Sequence, residues 1–176
     1  MSDPFDSADR SYAADQALGD AALRRDRLGE REIHLFLTGE GPVDDRLSRA
    51  LFADPALRAM FRRIRDRLAQ FTLPSLAAAS DGAVDTRTFP GGRIELRPAR
   101  RGGQTYLLLR LDWAMGPLVL VLTRPDGTTL RHPLPATDAA GETLQVLDNV
   151  VDASLLAALA DPETEGALLP LAEGAP

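Results

Sequence analysis

Few side chains in this sequence are of types that do chemistry at a spacing that would let them do it. His34 and His132 are the two histidines, and neither has a histidine or cysteine at metal-ligand spacing. Cysteine is absent, which removes disulfides, thiolate metal ligands and a cysteine nucleophile. Ser48, Ser75, Ser80 and Ser154 fall in helix, linker or cap contexts, and no G-x-S-x-G elbow is present. Aspartates and glutamates are numerous but gathered in acidic turns, with nothing marking a pair for acid–base work. Gly91-Gly92 and Gly102-Gly103 lack a following helix and lysine, so they read as turns and not as phosphate loops. No catalytic, cofactor-binding or metal-binding residue is assigned, and the expectation is a protein that is not an enzyme and needs no cofactor.

Charge carries more. All 20 basic residues are arginines, which reads first as the codon usage of a high-GC genome and second as a choice of planar, bidentate cations. They are not evenly spread. Residues 46–68 hold seven arginines against two acids, and residues 87–110 hold six against one. The remaining segments are acidic, and the whole chain has a net charge of −6. Two basic blocks between acidic ones point to packing between parts of the chain or to an acidic partner surface. Arg58, Arg62, Arg63, Arg65 and Arg67 could contact phosphate. An isoelectric point near 4.9, flanking acidic blocks and the lack of interleaved aromatic residues rank nucleic acid below a protein partner.

Helical periodicity is clearest where those arginines lie. Leu57, Phe61, Ile64, Leu68 and Phe71 recur at spacings of four and three, which predicts a helix over 55–70. Asp54-Pro55 supplies a favoured N-cap followed by a proline at the first helical position. A shorter helix over 29–37 is expected to end at Gly39, with Pro42 blocking continuation. Another is expected from an Asp44 or Asp45 cap, with Leu47, Ala50 and Leu51 inward. Residues 1–27 read as an acidic flexible arm or weak helix, without the basic and apolar regions of a signal peptide. Residues 28–72 read as a helical module and 73–85, with proline, small residues and Asp-Gly, as a linker.

From residue 86 the pattern changes to short strands. Residues 92–97 alternate apolar and charged. Residues 106–113 and 118–122 are nearly all apolar and read as central strands buried on both faces. Pro125-Asp126-Gly127 joins the second of these to a more polar edge strand ended by Pro133 and Pro135. Residues 142–147 form another strand, Asp152 or Ser154 caps a short Leu/Ala helix, and 167–169 is a last short strand. The fold class is α+β: a short-helix module followed by a small, mainly antiparallel β-sandwich over 86–170, then a tail at 171–176. No stretch is long and apolar enough to span a membrane, and the expected location is the cytoplasm.

Residues 38–42 (Thr-Gly-Glu-Gly-Pro) and 51–58 (Leu-Phe-Ala-Asp-Pro-Ala-Leu-Arg) resemble the N-terminal domain of bacterial anti-sigma factors. In that family a short helix ends in a Gly-Glu-Leu-Pro-type turn, and later helices break near a Leu-x-x-Asp-Pro-x-Leu-Arg element. The likeness is to the zinc-less branch, because cysteine is absent and His34 is not at the place of the zinc histidine. The chain also departs from most members in having a linker where they have a membrane span. The resemblance implies a non-enzymatic regulator whose helices bind a sigma factor. Phe52, Leu57, Phe61 and Ile64 would be apolar anchors, with Arg58, Arg62 and Arg65 meeting an acidic surface. Each apolar anchor has an alternative use, packing on the chain's own β-domain. The alternative function is a structural or adaptor subunit of a multiprotein assembly, such as one with a protease or secretion system. The sequence leaves the oligomeric state open.

Overall fold

The computed structural model describes residues 28–39, 45–76, 84–100 and 102–171. Readings that fall on 1–27, on the turn beyond Gly39 with its Asp44 cap, on the middle of the 73–85 segment and on 172–176 lie outside them. Among the described residues there are four helices and eight strands, and the fold is α+β with two four-stranded antiparallel sheets. The helices are α1 (Glu30–Thr38), α2 (Asp45–Ala53), α3 (Pro55–Leu68) and α4 (Ala153–Ala160). The strands are β1 (Phe71–Leu73), β2 (Thr86–Phe89), β3 (Gly92–Pro98), β4 (Gln104–Leu111), β5 (Leu118–Thr123), β6 (Thr129–Leu134), β7 (Glu142–Asp148) and β8 (Glu165–Pro170).

One sheet runs β1-β8-β5-β6 and the other β2-β3-β4-β7. Leu118, Leu120, Leu122 and Leu168 face the second sheet and meet Ile94, Leu107, Leu109 and Leu147 in the sandwich core. The alternate residues Val119, Val121, Ala167 and Leu169 face the other way, onto α1, α2 and α3. The molecule therefore has three layers: helices, first sheet, second sheet. Strand periodicity produces this division, since neighbouring side chains leave opposite faces. Leucines fill the wide gap between sheets, and the smaller Val119, Val121 and Ala167 let the helices approach.

The helix starts follow local chemistry. Asp54 Oδ1 accepts from the N–H groups of Ala56 at 2.8 Å and Leu57 at 3.2 Å, with Pro55 as the first residue of α3. Such a cap is worth about 1 kcal/mol. Gly39 ends α1 with φ 91°, a left-handed conformation that side chains other than glycine rarely adopt.

The sequence left open what the helices pack on, and the structure shows that it is the first sheet. Ile33, Phe36, Leu37, Leu47, Leu51, Leu57, Phe61 and Ile64 share one apolar cluster with the first sheet. The described residues at the two ends of the 73–85 segment bond to other elements. Phe71–Leu73 is a strand paired to β8, Leu76 donates to the Pro162 carbonyl at 2.7 Å, and Val84 donates to the Ala160 carbonyl at 2.8 Å. The strand expected at 106–113 ends at Leu111 and, among the described residues, is covered by a second layer on one face only, because the helices lie over the other sheet.

The last strand, expected at 167–169, runs from Glu165 to Pro170 and is central, lying between β1 and β5. Gly166 sits against Leu122, Leu73 and the Val121 carbonyl, where a Cβ would fall 2.9 Å from the Leu122 side chain. No helix among the described residues is long and apolar enough to cross a membrane.

Candidate functional site: the α2–α3 elbow

The sharp bend at Asp54 between α2 and α3 faces the turn that joins β5 to β6. Between them lies a cleft of about 210 Å³. From the elbow it is lined by Leu51, Phe52, Arg58, Phe61 and Arg62, and from the turn by residues 123–127. Gly127 makes the close approach possible. Its φ is +87°, and a Cβ there would fall 3.3 Å from the Phe52 Cα. In the turn, the Asp126 carboxylate accepts from the Thr128 N–H at 2.8 Å. That bond holds the Asp126 carboxyl below its usual range, with the Thr128 side chain and the Arg124 charge acting in the same direction.

The structure divides the seven residues implied as partner contacts into two groups. Leu57, Phe61 and Ile64 are buried under α1 and the first sheet, so a partner reaches them only if the helices leave that sheet. Arg65 is buried as well, donating to Asp66 Oδ1 at 2.9 Å and to Glu165 Oε2 at 3.4 Å. Phe52, by contrast, is 66% exposed at the cleft. Arg58 lies beside it, donating to the carbonyls of Leu51 at 2.9 Å and Phe52 at 2.5 Å and so closing the end of α2. Arg62 stands 3.5 Å from Glu165 with half its side chain in solvent. The accessible set is thus Phe52, Arg58 and Arg62.

Sequence reasoning missed the other wall. Thr123 and Arg124 lie between the strand expected at 118–122 and the turn at 125–127, with no pattern of their own in the sequence. Two buried polar atoms there, Thr123 Oγ1 and Arg124 Nε, have no hydrogen-bond partner. Arg124 makes no salt bridge among the described residues, so the cleft carries three arginines against one carboxylate that its own turn already engages. Its surface suits an acidic group beside an apolar one.

Away from the cleft, the described residues contain no cluster of histidine, aspartate and glutamate able to hold a metal ion. His34 lies exposed on α1. His132 Nε2 lies 3.0 Å from Gln145 Oε1. No family model matches the chain, and no curated protein or solved structure matches it either.

Proposed function

We propose that this chain is a non-enzymatic regulatory protein of the cytoplasm that binds a protein partner through the α2–α3 elbow. The observation that carries the reading is the exposed Phe52 ring beside a cleft lined by Arg58, Arg62 and Arg124. Aromatic residues and arginines are the side chains that most often anchor protein interfaces. A lone exposed aromatic ring on a soluble surface loses nothing by being covered, and the arginines select an acidic neighbour. In the anti-sigma reading, drawn from residues 38–42 and 51–58, that neighbour is an acidic surface of a sigma factor. The contact is then made by the outside of the elbow, with the helices still seated on the sheet.

The test is titration of the purified chain with each sigma factor of its source organism, followed by size-exclusion chromatography and fluorescence anisotropy. A one-to-one complex that weakens at least ten-fold in Phe52→Ala is expected. Absence of any complex would overturn the sigma-factor reading. A stable complex with some other assembly would favour the adaptor role instead.

A further inference from the structure

β7 is an open sheet edge of a kind the other three edges are not. β1 has three residues and β2 four, and β6 carries Pro133. Short edges and edge prolines are the usual protections against an added strand. β7 has seven residues, no proline and a single neighbour, β4. Its backbone is also correctly turned. The Glu142 carbonyl accepts from the Asp138 N–H on the side away from β4, while Asn149 donates to the Gly103 carbonyl on the β4 side. An antiparallel ladder alternates, so Leu144 and Val146 also aim their N–H and C=O groups away from β4. Neither residue has a partner for those groups among the described residues.

The side chains at the same two positions are Leu144, 57% exposed, and Val146, 51% exposed, on the face of the second sheet that no layer of the described residues covers. Val150 and Val151, both more than four-fifths exposed, extend the apolar strip into the following turn. Acids frame it. Glu142, which pairs with Arg110 of β4 at 2.9 Å, and Asp148 end the strand, Asp138 and Asp152 lie in the flanking turns, and no lysine or arginine occurs after Arg131. This charge pattern discriminates between occupants. In the register that pairs a whole β7 with a second copy, Glu142 would stand opposite Asp148 twice, with one Arg110 for each pair of carboxylates, so each pair keeps an excess acid that a basic segment would neutralise and a second copy would not.

We propose that β7 is a docking edge for an extended segment of a partner protein, with apolar residues at alternate positions and basic residues at both ends. The segment adds a fifth strand to the second sheet. Its backbone bonds to Leu144 and Val146, its apolar side chains cover theirs, and its basic ends meet Glu142 and Asp148. This edge is on the opposite outer layer from the Phe52 cleft, and it stands or falls independently of it.

The experiment selects random nonapeptides displayed on phage against the immobilised full chain, then titrates synthetic versions of the enriched peptides. Expected sequences alternate apolar and polar residues and carry arginine or lysine near both ends. Their affinity should drop at least ten-fold in Val146→Pro, whose lost N–H points to solvent and costs the fold no ladder bond. Leu144→Glu, which keeps the backbone intact, should weaken them similarly, and Phe52→Ala should not change them. Hydrogen exchange at the Leu144 and Val146 amides should slow when a peptide is bound. The proposal is overturned if no peptide is enriched on the native chain over Val146→Pro, or if the enriched peptides have acidic or neutral ends. It is equally overturned if light scattering finds a dimer that Val146→Pro abolishes, since the edge then belongs to a second copy.

Discussion

The Arg58 guanidinium donates to the backbone carbonyl of Phe52, six residues upstream, and to that of Leu51 beside it. The arginine that terminates α2 is therefore also the one that anchors the backbone carrying the exposed ring. Phe52 itself supports nothing beneath it, whereas Phe61, one turn further along α3, is buried beneath α1. Phe52→Ala should leave unfolding free energy within about 0.5 kcal/mol of the native value. Phe61→Ala should cost about 3–5 kcal/mol. Urea denaturation of both variants checks the pair, and equal losses would contradict the assignment of one ring to surface and the other to core.

Removing the Arg58 side chain should expose what it does for α2. Arg58→Ala leaves two terminal carbonyls without their donor, and a loss of about 1–2 kcal/mol is expected. Arg58→Lys should recover only part of it, because an ammonium lacks the planar fork that reaches both oxygens. The same denaturation measurement reads both variants.

Arg87 makes the same kind of contact in a drier place. It is buried on β2 and donates to the carbonyls of Leu159 at 2.8 Å, Thr164 at 2.7 Å and Asp161, at and beyond the end of α4. Burial lowers its pKa from the ordinary arginine value, while the Asp161 charge acts in the opposite direction. Arg87→Met should cost about 3 kcal/mol or more, since three carbonyls lose a charged donor in a site closed to water. A thermal melt shifted by only a degree or two would argue against this capping role.

Acid should destabilise the protein in a definite window. The Arg97 hydrogen bond is the main cause that holds the Glu95 carboxyl below its usual range, with Arg93 adding to it. Backbone N–H groups do the same for Asp148, from Val151 and Val150, and for Glu32, from its own residue and Gly29. A carboxyl lowered on folding contributes its full stability above the unfolded value of about 4, and loses it as pH falls through the folded value. Melting temperature should therefore be level from pH 7 to pH 5 and fall steeply below about pH 4. In Glu95→Gln the midpoint at pH 7 should be lower and the acid decline shallower.

The parts of this fold that could be read in advance are those decided by neighbours in sequence. The Asp54-Pro55 start, the Gly39 stop, the turn at 125–127 and the alternation of β3 all follow from a few adjacent residues. Strands placed by distant pairing could not be read this way. Phe71–Leu73 continues the apolar spacing of α3, and only its match to Gly166–Leu168 makes it a strand. The cleft was half legible for the same reason. Its helical wall has a pattern, while Thr123 and Arg124 acquire meaning only when Gly127 brings their turn against Phe52. Burial of Leu57, Phe61 and Ile64 was visible as amphipathicity, but what would cover them was not.

The place of β8 in the chain has a consequence for synthesis. Ala167 and Leu169 form part of the floor on which α1, α2 and α3 rest, and β8 bridges β1 to β5. The helices leave the ribosome first, yet the surface that receives them is completed by a strand made about a hundred residues later. Pairings of such long sequence separation are slow to form. The nascent chain must carry an incompletely covered apolar helical face until β8 has been made, and this is an interval in which it is exposed to chaperones and to aggregation.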